Sequence, residues 1–167
     1  TSNTVVLGRS EDTVQVPGAL NVAGAFGAGI LNAATQFNIG GKRVLTVSGI
    51  AAAPDSNIFA GVGAGSGNTT GIWNAFFGSN AGLSNTTGGA NSFFGYFAGN
   101  SNTTGNFNAF FGANAGLSNT TGSGNAFFGQ EAGKQTTTGS SNSFFGSLAG
   151  FSNTTGGANS FFGEGAG

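Results

Sequence analysis

The fold is decided by the stretch Asn68-Thr69-Thr70-Gly71-Ile72-Trp73-Asn74-Ala75-Phe76-Phe77-Gly78-Ser79-Asn80-Ala81-Gly82-Leu83-Ser84. One asparagine of this frame returns every seventeen residues, with no insertion or deletion, along the rest of the chain. Its seven copies are Asn57, Asn74, Asn91, Asn108, Asn125, Asn142 and Asn159. A fixed period of this length is typical of stacked, solenoid-like repeat proteins. We therefore expect the function to lie in the array.

Each repeat is too glycine-rich for a helix, whereas Asn74–Phe77 and its copies form short runs of strand character between turn residues. Seventeen residues suit one coil of two short strands and two turns, with a positive φ at the glycine of the Asn-Thr-Thr-Gly corner. Successive coils would pair at about 4.8 Å. The sequence predicts an all-β fold, a β-solenoid (β-roll or β-helix) of seven registers, the last cut short, roughly 30 Å long.

The first part of the chain differs from the repeats, and we place a boundary between residues 1–55 and 56–167. Six of the nine charged residues precede residue 56. Short β-rich runs end at glycine or proline there, which favours a shaft or connector that could add a strand to a neighbouring stack. These runs are Thr4–Leu7, Thr13–Val16, Ala19–Val22 and Arg43–Val47.

Composition excludes several functions. The formal net charge is −1, so there is no basic patch for a nucleic-acid partner. No apolar run approaches the roughly 20 residues of a membrane span. Histidine and cysteine are absent and no aspartate follows Asp55. We therefore predict no catalytic, cofactor-binding or metal site, and no enzyme activity.

Paired phenylalanines give each repeat an inner and an outer aromatic ring, because consecutive strand residues face opposite sides. The first register keeps Phe59 but has Ala60 in the other slot, so we assign the Phe76 row to the interior. The predicted core ladder is Phe59, Phe76, Phe93, Phe110, Phe127, Phe144 and Phe161, and the predicted interchain ladder is Phe77, Phe94, Phe111, Phe128, Phe145 and Phe162. An uncovered stripe of six rings exceeds what soluble monomers usually expose. We expect a homo-oligomer, most simply a trimer.

Two rows of asparagines have different interpretations. The seven-copy row is expected to form an internal ladder that hydrogen-bonds to itself and to turn backbone. Five other asparagines begin Asn-Thr-Thr sequons, which either accept glycans or serve turn chemistry. They are Asn68, Asn85, Asn102, Asn119 and Asn153.

Exposed side chains suggest two further functions. Regular threonine rows, such as Thr69 and Thr70 with their copies, resemble those of ice-binding solenoids, although they sit at a glycine corner and form no flat Thr-x-Thr strand. Variable aromatic slots such as Ile72-Trp73, Tyr96-Phe97 and Asn106-Phe107 favour an alternative glycan- or surface-binding module.

The repeated frame from Asn57 to Gly167 resembles repetitive bacterial surface and phage tail-fibre-like proteins, with structural analogy to trimeric autotransporter adhesin heads. The stretches Ala19–Gly24 and Phe37–Leu45 resemble shaft segments that lead into such regions. The resemblance implies an extracellular, cell-surface or virion fibre that is trimeric and serves as a stalk or adhesive surface. A head-to-tail filament is the variant favoured by the final Glu164–Gly167, which stops in mid-frame without a polar cap.

Overall fold

The fold comes from a computed structural model that describes residues 36–39, 42–48 and 57–167, with side chains from residue 57 onward. The predicted strands Thr4–Leu7, Thr13–Val16 and Ala19–Val22 lie outside the described residues. The run Arg43–Val47 lies inside the second strand described below.

Within the described residues, nine strands form a single sheet in which every strand is hydrogen-bonded to the next along the chain. They are β1 Gln36–Ile39, β2 Lys42–Ser48, β3 Asn57–Ala60, β4 Ala75–Phe77, β5 Ser92–Phe94, β6 Ala109–Phe111, β7 Ala126–Phe128, β8 Ser143–Phe145 and β9 Ser160–Phe162.

The seven strands from β3 onward are parallel and in register with the repeat. Phe59 pairs with Phe76, and Phe76 with Phe93, so each step moves seventeen residues along the chain. The inner rings from Phe59 to Phe161 stack in steps of 4.7–4.9 Å. Six such steps make the ladder roughly 29 Å long, close to one sheet spacing per coil. This arrangement confirms the predicted β-solenoid of seventeen-residue coils and shows that its strands are parallel. It has six complete coils, at 57–73, 74–90, 91–107, 108–124, 125–141 and 142–158.

Each complete coil contains one strand, and the predicted second strand is not formed. In the coil that starts at residue 74, turn bonds alternate with bonds to the next coil between residues 81 and 86. The N–H of Ala81 donates to the carbonyl of Gly78 within the coil, at 3.2 Å, whereas that of Gly82 donates to Ala98 of the next coil, at 3.0 Å. The prediction of two strands was wrong because alternate N–H groups of this segment, those of Ala81, Leu83 and Asn85, are used by local turns.

The predicted positive φ at the Asn-Thr-Thr-Gly corner was also wrong, because Gly71 has none. Positive φ occurs instead after the strand, at Gly78 (φ 137°), Asn80 (φ 57°) and Gly82 (φ 57°), and just before it, at Trp73 (φ 60°). Gly71 is required for another reason, since an added Cβ would collide with the carbonyl oxygen of Gly88 in the next coil. This corner therefore uses glycine for close approach between coils.

An antiparallel hairpin precedes the solenoid. β1 pairs with β2, and β2 pairs with β3 through contacts such as Thr46 opposite Phe59. The predicted boundary between residues 55 and 56 falls between β2 and β3, within one continuous sheet. The sequence predicted that a strand of this region could add to a neighbouring stack. In the structure β2 pairs instead with β3, the first strand of its own solenoid. No helix in the described ranges is long and apolar enough to cross a bilayer.

Candidate functional site

The inner phenylalanine ladder forms the core of the solenoid. From Phe76 to Phe144 its rings are fully buried, Phe59 is 4% exposed, and Phe161 is partly buried. Neighbouring rings are stacked within 17° of parallel. A buried alanine and a positive-φ glycine lie beside each ring from Phe59 to Phe144, as Ala81 and Gly82 do beside Phe76. The core is one ring wide because only the middle residue of each three-residue strand points inward.

The outer ladder is only half-buried between Phe77 and Phe145, and Phe162 at its end is 69% exposed. Its rings stack at 4.7–5.1 Å and lie within 12° of parallel. Stacking covers the ring faces, so the ladder presents a continuous row of ring edges. The stripe is therefore less open than the sequence suggested.

A row of small side chains runs beside the outer ladder, two residues earlier in each coil. Strand residues two apart face the same side of a sheet, so this row shares the outer face with the phenylalanines. Its members are Ala75, Ser92, Ala109, Ala126, Ser143 and Ser160. The outer face of the repeat strands thus combines a bulky aromatic row with a shallow neutral one.

The predicted asparagine ladder lies inside the solenoid. Asn57 Oδ1 accepts the backbone N–H of Asn74 at 2.8 Å, and Asn74 Oδ1 accepts that of Asn91 at 3.0 Å. The Asn57 Nδ2 group donates to the carbonyl of Gly71 at 2.9 Å. The amide oxygen therefore joins one coil to the next, whereas the amide nitrogen closes its own coil, so this buried row has a structural role.

A second internal ladder is formed by the sequon asparagines. Asn85 Nδ2 donates to Asn68 Oδ1 at 2.7 Å and to the carbonyl of Gly88 at 2.9 Å. Asn102 and Asn119 repeat this arrangement and, with Asn85, are fully buried. A glycan on any of these three would have to displace a packed and hydrogen-bonded side chain. Asn68 and Asn153 are only partly buried, and glycosylation there stays a prediction.

Sequence reasoning missed this second ladder because Asn-Thr-Thr fits a sequon and a turn equally well. The seventeen-residue recurrence of Asn68 was the signal that could have revealed it. The same recurrence shows where the ladder is interrupted, since Thr136 occupies the place between Asn119 and Asn153.

The two threonine rows differ in exposure and bonding. The hydroxyl of Thr69 donates to the carbonyl of Thr86 at 2.9 Å, and the copies up to Thr137 bond in the same way. These hydroxyl protons therefore join coils. The second row is exposed throughout: Thr70, Thr87, Thr104, Thr121, Thr138 and Thr155. One exposed threonine per coil adds nothing specific in favour of ice binding, which stays a prediction.

The variable aromatic slots lie on the surface. Trp73 is 55% exposed, Tyr96 57% and Phe107 70%. Tyr96 packs edge-to-face on Phe97, with ring centroids 4.4 Å apart. These two rings border an open cleft of about 430 Å³ between two successive coils.

Charges within residues 57–167 are few and partly paired. Lys134 Nζ lies 3.0 Å from Glu131 Oε1 and 5.5 Å from the ring centre of Phe151. Residues 57–167 contain no group of three or more histidine, cysteine, aspartate or glutamate side chains that would hold a metal. The chemistry this surface offers is aromatic contact and neutral hydrogen bonding.

Comparisons with protein-family models, curated proteins and solved structures found no match to the chain. The resemblance to surface and tail-fibre-like proteins therefore stays a prediction carried by the repeated frame alone.

Proposed function

We propose that the chain is a non-enzymatic structural protein that self-associates into a fibre through its outer phenylalanine ladder. The observation that carries this proposal is the unbroken row of stacked, half-buried rings from Phe77 to Phe145, ending at the exposed Phe162. Contiguous apolar rows of this kind mark protein interfaces.

The partner that best fits this face is a second copy of the same chain. Phe111 and the small Ala109 lie on the same face of β6, neither charged, so the face offers nothing to a charged partner. Cyclic symmetry about an axis parallel to the solenoid would bring the same ladder of each copy together with every ring at the same height. The aromatic row of one copy would then lie near the shallow alanine and serine row of the next.

Among cyclic arrangements we propose a homotrimer, which the resemblance to adhesin heads implies. A location outside the cell, on the cell surface or on a virion, is the part of this proposal that the same resemblance supports. A rigid solenoid suits a stalk because every coil is joined to the next by strand pairing, the inner asparagine ladder and a row of threonine bonds. The second asparagine ladder adds to these links except where Thr136 interrupts it. Head-to-tail growth into a filament is the variant of this proposal.

The mass of the assembly in solution tests the proposal. We expect sedimentation and light scattering to show a trimer at ~50 µM, a concentration at which a micromolar interface is largely filled. The double variant Phe111→Ser with Phe128→Ser should shift the chain toward monomer. The matched control is Phe107→Ser, which removes a more exposed ring outside the ladder and should leave the mass unchanged.

Circular dichroism of the same samples separates dissociation from unfolding. A wild-type chain that is monomeric and folded at this concentration would overturn the proposal. So would a double variant that keeps the wild-type mass.

A further inference from the structure

A cleft on the surface of the solenoid coincides with a local departure from the repeat. In the coil at 91–107 the frame has Tyr96, Phe97 and Asn100, where the preceding coil has Ser79, Asn80 and Leu83. The cleft that these residues border measures about 430 Å³. Its lining is completed by Ser101 and, from the next coil, Asn114, Leu117 and Ser118.

Phe97 occupies a backbone position that its side chain disfavours. Its φ is 56°, in the left-handed region, which asparagine tolerates far better than a bulky aromatic residue. The same position holds asparagine in the neighbouring coils, at Asn80 and Asn114. Glu131 and Leu148 have the same left-handed φ at this position in later coils, at 59° and 60°, so what sets the coil at 91–107 apart is the aromatic ring. An aromatic residue kept at a disfavoured backbone position is a reason to look for a function there.

The cleft is held in shape by backbone bonds between coils. The N–H of Asn114 donates to the carbonyl of Tyr96 at 2.9 Å, and that of Ser101 to Leu117 at 3.1 Å. The N–H of Phe97 donates to Ser79 of the preceding coil at 3.0 Å. A site of this kind needs little ordering when a ligand binds.

The side-chain amides of Asn100 and Asn114 are oriented by hydrogen bonds to residues outside the two coils that form the cleft. Asn100 Nδ2 donates to the carbonyl of Asn80 at 3.2 Å, and Asn114 Nδ2 donates to Glu131 Oε1 at 3.4 Å. The amide oxygens are thereby left as acceptors for a ligand. Glu131 is itself paired with Lys134, so the nearest charges are neutralised by each other.

We propose that this cleft binds a neutral carbohydrate. A sugar ring has an apolar C–H face that stacks on an exposed aromatic ring such as Tyr96, and a rim of hydroxyls that donate to amide oxygens and serine hydroxyls. A cleft with aromatic walls, a few oriented polar groups and no unpaired charge fits this ligand. An anionic ligand would require a cation that the lining does not contain.

Tyr96 is the only tyrosine of the chain, so it reports directly on the cleft. Protein labelled with ¹³C-tyrosine should show one set of tyrosine ring signals. We expect saturable shifts of these signals on titration with cellohexaose or maltohexaose up to ~5 mM, the range of a weak single site. An anionic trigalacturonate should produce no saturable shift.

Four variants test the lining by calorimetric or ligand-observed titration. Tyr96→Ala and Asn114→Gly should weaken binding about tenfold or more, and glycine tolerates the left-handed backbone at residue 114. Tyr96→Phe keeps the ring and should stay within about threefold of wild type. Phe107→Ala removes an exposed ring outside the cleft and should bind like wild type.

The proposal is overturned if neither neutral hexasaccharide binds saturably, if Tyr96→Ala binds as well as wild type, or if the anionic oligosaccharide is preferred. The mass of Tyr96→Ala, measured beside its binding, distinguishes this outcome from failure of the proposed self-association, which depends on the Phe77 ladder.

Discussion

Asn119 Oδ1 is buried beneath Thr136 and has no hydrogen-bond partner. In the coils before it, the corresponding oxygens of Asn68, Asn85 and Asn102 each accept the Nδ2 group of the next asparagine at 2.7–2.8 Å. Thr136 does not make this donation in the structure, and the ladder resumes only weakly, with Asn153 Nδ2 3.4 Å from Thr136 Oγ1. The interruption leaves a buried acceptor whose desolvation is not compensated.

Thr136→Asn should therefore stabilise the solenoid. The introduced amide would donate to Asn119 Oδ1 and to the carbonyl of Gly139, as Asn119 does to Asn102 and Gly122. Satisfying a buried acceptor is worth about 1–3 kcal/mol, which corresponds to a rise of several degrees in melting temperature. Thermal and urea unfolding followed by circular dichroism measure the change.

Two companion variants show whether the ladder is the cause. Thr136→Val keeps the branched shape but donates nothing, so it should give no gain. Asn102→Thr recreates the interruption, because it leaves the oxygen of Asn85 without a donor, and should cost a similar 1–3 kcal/mol. Equal stability of Thr136→Asn and the wild type would contradict this account.

The stack itself was predictable because its signal is repeated. Strand-like Phe76-Phe77 runs at a fixed spacing leave few arrangements other than coils in register. A single exception, Ala60 in the first register, was the reason for assigning the Phe76 row to the interior, and those rings are buried. Each local preference is weak by itself, but the same preference recurs in every repeat, so the pattern as a whole predicts the fold.

The path between strands was not predictable for a physical reason. Local preference favours glycine wherever the backbone is left-handed. In the stacked coils, however, Asn80 and Phe97 have positive φ and Gly71 does not. Inter-coil hydrogen bonds act on all coils together, and their sum outweighs a cost of about 1–3 kcal/mol at one residue. The cleft beside Tyr96 depends on this path, so its existence could not be read from the residues alone.

Alanine substitutions at two glycines of one coil would distinguish the cost of steric overlap from the cost of backbone strain. Gly116 (φ 58°) and Gly124 (φ 68°) both have left-handed backbone. A Cβ on Gly116 would lie 2.5 Å from ring atoms of Phe110, whereas the nearest atom at Gly124 is 3.8 Å away. Gly124→Ala should cost about 1 kcal/mol of strain, and Gly116→Ala about 1–3 kcal/mol more through overpacking.

The repeat supplies its own control for this comparison. Ala90 and Ala158 already occupy the position of Gly124 in other coils, with φ of 56° and 57°. Equal midpoints of urea unfolding for Gly116→Ala and Gly124→Ala would show that overlap with the inner ring is not what makes Gly116 necessary.

A carboxylate in the inner asparagine ladder should destabilise the fold in a pH-dependent manner. Asn108 Nδ2 donates to the carbonyl of Gly122 at 2.8 Å, and Asn108 Oδ1 accepts the N–H of Asn125 at 3.0 Å. Asn108→Asp keeps the second bond but replaces the donor with an oxygen that faces a carbonyl. We expect a loss of about 2–4 kcal/mol at neutral pH.

The sign of the pH dependence follows from burial. Burial raises the pKa of the introduced carboxyl in the folded state above its unfolded value of about 3.9, so the folded chain binds more protons. Stability of Asn108→Asp should therefore fall as pH rises from 4 to 7, by linkage. Asn106→Asp, at a partly exposed position, should lose less and vary less with pH. A variant of Asn108 whose unfolding midpoint is the same at both pH values would contradict the prediction.

Adjacent rings of one strand should separate folding from association. Phe110 is fully buried in the inner ladder, whereas Phe111 is half-buried in the outer one. Phe110→Ala should cost about 3–5 kcal/mol of folding stability through cavity formation.

The concentration dependence of melting reports on association. Because association makes the melting temperature rise with protein concentration, the wild type should melt higher at a tenfold greater concentration. Phe111→Ala should lose most of that rise while staying closer to wild type at the lower concentration. Phe110→Ala, if folded, should melt lower at both concentrations but retain the rise. The reverse pattern, with the concentration dependence lost only in Phe110→Ala, would mean that the outer ladder is not the interface.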